Sequence, residues 1–189
     1  ARTTMSVSGS WERTARGAML LGPGGELSPT IFAEMSALAA STGAINLGQG
    51  FPDEDGPAEV LEAARAAISA GVNQYPPGLG MPVLREAIAA HQKRFYGIEV
   101  DAATQVLVTA GATEAIAATL LALTDTGDEV VTFEPFYDEY GAITALGRAT
   151  QVTVPLRAPH FLPDLDELRA AVNDRTRVIL INSPHNPTG

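Results

Sequence analysis

Three short, uninterrupted apolar runs constrain the fold of this chain more than any other feature. They lie at residues 105–109, 129–133 and 178–181 and contain VLV, VVTF and VILI. Strands that helices cover on both faces are apolar throughout, whereas strands with one face in water alternate between apolar and polar residues. Helical segments separate these runs along the chain. The alternation predicts an α/β architecture with a mainly parallel sheet covered by helices.

The other elements follow from apolar periodicity and from the positions of glycine and proline. Residues 45–52 are predicted to form a short strand that runs into a glycine-bracketed loop. Residues 1–29, rich in Ser, Thr, Gly and Arg without a lasting period, are predicted to be a mobile or extended arm. Helices are predicted over residues 30–40, 57–70, 81–96, 113–123, 137–146 and 165–172, and a further strand over residues 151–154.

Composition excludes several classes of function. The formal net charge is -10, which argues against nucleic acid or an anionic membrane as a partner, because a phosphate surface would repel the chain. Cysteine is absent from the sequence, so disulfides, thiolate catalysis and zinc–thiolate sites are excluded, and no metal site is predicted. The apolar run at residues 18–21 is shorter than the roughly 7–15 residues of a signal-peptide core. We therefore expect a cytoplasmic protein.

The first candidate site follows the apolar run at residues 105–109. Ligands of open α/β sheets bind beyond the carboxyl ends of the strands. Here the chain turns through Gly111 into a helix, so the backbone N–H groups of Ala112 and Thr113 would be unpaired at the helix start. The positive end of the helix dipole lies behind them, and this suits a phosphate dianion. Because strand–glycine–helix turns are common, a purely structural turn is the alternative.

The second candidate is an aromatic pair after the run at residues 129–133. Pro135 stops the strand and places Phe136 and Tyr137 at its carboxyl end. A flat heterocycle could stack on the better placed ring, that of Tyr137. The alternative is a helix start with Phe136 buried in the core.

The third candidate is a stiff loop after the run at residues 178–181. Two prolines force extended conformations on Ser183 and Asn186, which holds the Asn186 amide beyond the strand end. That amide can both donate and accept hydrogen bonds, which favours a ligand contact. His185 is interpreted as a neighbour rather than a base, and an ordinary Asx-Pro turn is the alternative for the loop.

Five segments, in this order and spacing, resemble fold-type I pyridoxal-phosphate enzymes of the class I and II aminotransferase family. The similarity is greatest to the branch that holds kynurenine/glutamine aminotransferases and actinobacterial N-succinyldiaminopimelate aminotransferases. It implies an N-terminal arm and helix over residues 1–45 and a large cofactor-binding domain, incomplete at its C-terminus, over residues 46–189. The segments are NLGQGFPDEDGP, NQYPPGLG, TAGATEAI, EPFYDEY and INSPHNPTG, within residues 32–189.

The resemblance implies how pyridoxal 5'-phosphate would be held. The backbone amides of Ala112 and Thr113 would bind its phosphate. Tyr137 would stack on its pyridine ring, and Asn186 would form a hydrogen bond with the 3-oxygen of that ring. These four residues are therefore the expected cofactor contacts at the ends of the strands.

Substrate contacts and a dimer are implied by the same resemblance. Asn186 and the backbone N–H of Gly50 would face the carboxylate of the amino-acid or 2-oxo-acid substrate, and Phe32 would line the substrate pocket. Tyr75, whose loop could otherwise be a rigid connector, would reach the phosphate in the neighbouring subunit. A homodimer with shared active sites is therefore expected.

The Schiff-base lysine of the family lies beyond the NPTG segment in relatives, as do the aspartate facing the pyridine nitrogen and the arginine that clamps the carboxylate. The only lysine here is Lys93, beside Arg94 on a predicted helix, and no catalytic role is predicted for it. We expect the chain to be an N-terminal fragment, inactive by itself. Its parent enzyme would move an amino group between an amino acid and a 2-oxo acid.

Other interpretations stay open. A pyridoxal-phosphate-dependent C–S β-lyase uses the same cofactor on amino acids that carry a leaving group. A non-catalytic, aminotransferase-like sensor module would need a basic DNA-binding segment upstream, whereas residues 1–29 hold three arginines and no helix-turn-helix pattern. A natural truncation that pairs with a partner chain is a further possibility.

Overall fold

The structure is a computed structural model that describes residues 9–48, 50, 52 and 54–189. Contacts divide the chain into two compact units. The first unit runs to Glu34 and resumes over Gly111–Gly189, and the second unit spans Met35–Ala110. The domain boundary predicted at residue 45 stays a prediction, because the contacts within this chain do not test it.

Helices and strands alternate through the first unit, while the described part of the second unit is helical. Among the described residues, no helix has the length and apolarity needed to cross a bilayer. The helices are α1 (Ser10–Gly17), α2 (Ile31–Thr42), α3 (Ala58–Ser69), α4 (Pro82–Tyr96), α5 (Gly111–Leu123), α6 (Glu139–Leu146) and α7 (Leu165–Ala171), and the strands are β1 (Glu129–Glu134), β2 (Thr150–Pro155) and β3 (Thr176–Ile179).

The three strands form one sheet in the order β2-β1-β3, and β1 pairs with both neighbours in parallel. Val131 lies opposite Val152 of β2 and Ile179 of β3. The predicted parallel sheet is therefore confirmed. Because all three strands run in the same direction, their carboxyl ends meet at one edge.

The core of the first unit is built around β1, which is buried over its first five residues. One face of β1 packs Val131 and Phe133 against Val154 of β2 and Leu168 of α7. Its other face packs against α5 and α6 in a cluster made of Val130, Leu120 and Ile143. Helices therefore cover β1 on both sides, which explains its continuous apolar sequence.

The N-terminal arm contains a helix that the sequence did not predict. Helix α1 packs against α6 where Gly17 and Gly141 approach each other, and Arg13 Nε donates a hydrogen bond to the carbonyl oxygen of Ala145 at 2.8 Å. The prediction of an extended arm is wrong over α1. Its sequence is polar and short, so the helix depends on tertiary packing that no local pattern reveals.

The strand predicted at residues 105–109 is absent from the described structure, where this segment has no regular structure. Hydrogen bonds join this segment to another loop and to α4. Val108 N–H donates to Leu79 O at 3.1 Å, and Arg85 Nε donates to Val106 O at 2.9 Å. Residues 45–47 likewise form no strand, and parts of the adjoining loop lie outside the described residues. Apolar composition alone does not make a strand, because a strand needs a partner to form its ladder.

A buried carboxylate fixes the start of β1. Glu129 is 6% exposed, and its Oε2 accepts a hydrogen bond from Asn173 Nδ2 at 2.7 Å. Arg175 forms an ion pair with the other carboxylate oxygen. These contacts link β1 to the turn that precedes β3, and they hold the pKa of Glu129 below its usual value, first through Asn173 and then through Arg175.

Candidate active site

The candidate site lies at the carboxyl edge of the sheet in the first unit. The chain leaves β1 through Pro135 and reaches Tyr137 before α6 begins. It leaves β3 toward the loop that carries Asn186. Because β1 and β3 are parallel neighbours, both segments emerge at the same edge, where ligands of open α/β sheets bind.

Helix α5 begins at Gly111, whose φ of 87° lies in the left-handed region that favours glycine. The next residues, Ala112 and Thr113, are exposed. The first amides of a helix have no acceptor within the helix, and the helix dipole makes this end attractive to anions. The predicted turn is therefore present, although the helix starts two residues earlier than predicted.

Thr113 is linked to α6 through a residue that the sequence did not single out. Its hydroxyl donates a hydrogen bond to Glu139 Oε2 at 2.5 Å. The other carboxylate oxygen of Glu139 is buried and has no hydrogen-bond partner among the described residues. A carboxylate therefore lies beside the start of α5, with only one of its oxygens satisfied.

Tyr137 is half-buried and belongs to the same cluster. Burial raises the pKa of its phenol, and the negative charges of Glu139 and Asp138 raise that pKa further. The ring also packs edge-on against Tyr140, with centroids 5.8 Å apart and an interplanar angle of 88°. The phenol therefore stays neutral at neutral pH, and the contact with Tyr140 orients its ring.

The loop after β3 is held by its own side chains. Asn186 N–H donates to Asn182 Oδ1 at 2.7 Å, and His185 Nδ1 lies 2.8 Å from Thr188 Oγ1. Asn186 itself is exposed. No hydrogen bond between described residues joins Asn186 to Thr113 or Tyr137. Asn186 thus lies in the loop that follows β3 and, within the described ranges, forms no hydrogen bond to the other predicted cofactor residues.

The remaining predicted site residues are distant in sequence from this cluster. Phe32 is half-buried on α2. Gly50 and Tyr75 belong to the second unit, and the Tyr75 side chain is 96% exposed. The residues next to Gly50 in sequence are outside the described ranges. The roles of these three residues stay predictions.

Comparison with known proteins decides which family this arrangement belongs to. The family model described as aminotransferase class I and II matches residues 42–189. The chain belongs to the class I and II aminotransferases. The family match therefore covers the turn at Gly111, Tyr137 and the Asn186 loop.

Relatives of this aminotransferase chain include a probable N-succinyldiaminopimelate aminotransferase from Mycobacterium tuberculosis, 59% identical over 85% of this chain and 41% of the relative. A methionine aminotransferase from Escherichia coli is 47% identical over 86% of this chain and 42% of the relative. The solved structure of the Mycobacterium tuberculosis N-succinyldiaminopimelate aminotransferase superposes with a TM-score of 0.80 and 58% identity, covering 84% of this chain and 42% of that one. The chain thus spans about two fifths of the length of the curated relatives it matches, and it has the predicted fold-type I architecture.

Members of this aminotransferase family use pyridoxal 5'-phosphate. The donors of the first unit fit that molecule: an exposed helix start for a phosphate, a half-buried aromatic ring for a heterocycle, and an exposed asparagine amide at the same edge. The small side chain of Ala112 leaves the backbone accessible to an anion. Glu139 is the group that fits least, because its carboxylate lies beside the helix start and accepts the Thr113 hydroxyl.

Proposed function

We propose that the protein is a pyridoxal 5'-phosphate-dependent aminotransferase that moves an amino group between an amino acid and a 2-oxo acid. The family match over residues 42–189 carries this proposal. The identity of 59% to a relative named as an N-succinyldiaminopimelate aminotransferase supports substrates of the N-succinyldiaminopimelate type. The cytoplasmic location and the homodimer, with Tyr75 serving the neighbouring subunit, are part of the same proposal.

The residues of this chain would bind and orient the cofactor and the substrate. The amides of Ala112 and Thr113 would hold the phosphate, and Tyr137 would pack its ring against the pyridine. Asn186 would donate to the 3-oxygen and help to position the substrate carboxylate. When bound, pyridoxal phosphate supplies the electron sink for chemistry at the substrate Cα.

The remaining contacts would serve the substrate. The backbone N–H of Gly50 would face its carboxylate, and Phe32 would line its pocket. Lys93 forms an exposed ion pair with Glu99 at 2.7 Å, so we assign it no part in proton transfer. The proposed contribution of this chain is therefore binding and orientation.

The test removes one amide donor from the proposed phosphate turn. Ala112→Pro deletes an N–H in the first turn of α5, where proline is compatible with a helix. We expect the affinity for pyridoxal 5'-phosphate, measured by calorimetry, to fall about tenfold or more, because a hydrogen bond to a charged group contributes about 1.5–3 kcal/mol. The affinity for pyridoxal, which lacks the phosphate, should not change.

Ala58→Pro, at the first residue of α3, is the matched control. It should bind both compounds with the affinities of the unsubstituted chain. Absence of saturable pyridoxal 5'-phosphate binding to the unsubstituted chain would refute the proposal. An equal loss of affinity for both compounds in Ala112→Pro would refute the assignment of the phosphate to α5.

A further inference from the structure

Glu139 lies beside the start of α5, the helix end at which we propose that the cofactor phosphate binds. It is the first residue of α6, and its Oε2 lies 2.5 Å from the hydroxyl oxygen of Thr113 in the first turn of α5. An anion is favourable near the positive end of a helix dipole. The carboxylate therefore interacts with the same helix end that the phosphate would use.

The Thr113 hydroxyl carries a single proton, and Glu139 accepts it in the structure. While this contact persists, that hydroxyl cannot donate to a phosphate oxygen. The two anions would also repel each other at close range, because a half-buried carboxylate is screened less than an exposed one. Binding of a phosphate thus requires the carboxylate to withdraw or to be neutralised.

The placement of Glu139 also leaves one of its oxygens unsatisfied. Oε1 is buried, and no described residue forms a hydrogen bond with it. A buried acceptor without a partner loses its hydration and gains nothing in return. The carboxylate is therefore held in a position that a competing anion can displace.

We propose that Glu139 is a positioning residue that competes with the cofactor phosphate for the Thr113 hydroxyl and the start of α5, and so lowers the affinity of the site for phosphate. This inference rests on the proposed function, because it takes α5 as the phosphate site. It concerns the charge of one side chain and assigns Glu139 no contact with substrate.

The test neutralises this carboxylate without changing its shape. Inorganic phosphate, pyridoxal 5'-phosphate and pyridoxal are titrated by calorimetry into the parent protein and into Glu139→Gln. We expect the substitution to tighten binding of both phosphate compounds about tenfold at low salt, and the ratio to shrink at high salt because the repulsion is screened. Pyridoxal affinity should stay the same. Asp174→Asn removes an equal charge from an exposed position before β3 and should leave all three affinities unchanged.

A second measurement is independent of any ligand. Glu139 raises the pKa of the Tyr137 phenol by its negative charge, after the larger effect of burial. Glu139→Gln should therefore lower the pH midpoint at which Tyr137 ionises. Absorbance at 295 nm measures this ionisation, and subtracting the titration of the Glu139→Gln/Tyr137→Phe double variant isolates the signal of Tyr137. Loss of a purely structural contact would not change phosphate affinity and phenol titration together.

Each outcome decides between the two proposals. Equal or weaker phosphate binding by Glu139→Gln, or an unchanged Tyr137 midpoint, overturns the competition and leaves the proposed function intact. Absence of saturable pyridoxal 5'-phosphate binding in both proteins overturns the competition together with the proposed function.

Discussion

Gly17 and Gly141 face each other where α1 crosses α6, so closely that a Cβ atom on either residue would overlap the carbonyl oxygen of the other. We expect Gly141→Ala to lower the free energy of unfolding by about 1–3 kcal/mol, because overpacking costs that much in a close contact. Alanine has the better helix propensity by about 1 kcal/mol, so a loss of stability would report the steric contact. Urea unfolding measures the change.

The control for this substitution is Gly78→Ala. A Cβ atom at Gly78 would have no atom of the described residues within 4 Å, apart from its neighbours in the chain. Its stability should stay within about 0.5 kcal/mol of the parent protein. If Gly141→Ala is as stable as Gly78→Ala, then α1 does not pack on α6 through this glycine contact.

Two adjacent leucines of α5 test the core around β1. Leu120 is 2% exposed and packs with Val130 and Ile143, whereas Leu121 is 47% exposed. We expect Leu120→Ala to lower the free energy of unfolding by about 2–5 kcal/mol. Leu121→Ala should cost no more than about 1 kcal/mol, because nearly half of that side chain already contacts water. Similar losses in the two variants would contradict the described position of α5 on β1.

The carboxylate of Glu129 should make stability depend on pH. Its folded-state pKa lies below the ordinary value near 4.5, because Asn173 and then Arg175 favour the charged form. The contribution is therefore complete above pH about 4.5 and is lost as the pH falls through the folded-state pKa. Urea unfolding between pH 7 and pH 3 should show Glu129→Gln less stable at pH 7 and the two proteins converging at the acid end.

Asp174→Asn is the control for the pH series, because Asp174 is exposed in the turn that precedes β3. Its stability profile should follow that of the parent protein throughout. A Glu129→Gln profile parallel to the parent profile would mean that the carboxylate contacts do not shift the pKa of Glu129.

The ring of Tyr137, rather than its hydroxyl, should matter for pyridoxal 5'-phosphate binding. We expect Tyr137→Ala to weaken the affinity about 3- to 10-fold, because an aromatic stack contributes about 0.5–1.5 kcal/mol. Tyr137→Phe should stay within about twofold. Tyr96→Ala removes a 65% exposed ring from α4 and serves as the control in the same calorimetric titration. Equal affinities of Tyr137→Ala and Tyr96→Ala would contradict the stacking role.

The parallel sheet was predictable because its determinants are local. The run at Val130 and Val131 is apolar on both faces, and the buried strand β1 needs such a run. Gly111 marked the turn into α5, because the helix begins with a left-handed backbone angle that glycine adopts readily.

The features that sequence did not reveal depend on contacts between distant segments. Glu139 is 26 positions from Thr113, and nothing in the EPFYDEY segment indicates which hydroxyl its carboxylate meets. Residues 105–109 have the composition of a strand, but a pairing partner decides whether a strand forms. Helix α1 was missed because its polar sequence becomes helical through contact with α6.

Helix α1 lies ahead of the region that matches the family, yet it reaches the segment that carries the aromatic cluster. Arg13 and Ala145, joined by one hydrogen bond, are 132 positions apart. Because α6 also begins with Glu139, a substitution that loosens α1 would disturb the same helix that carries Tyr140 and Glu139. Variants in α1 would then change the aromatic cluster as well as α1 itself.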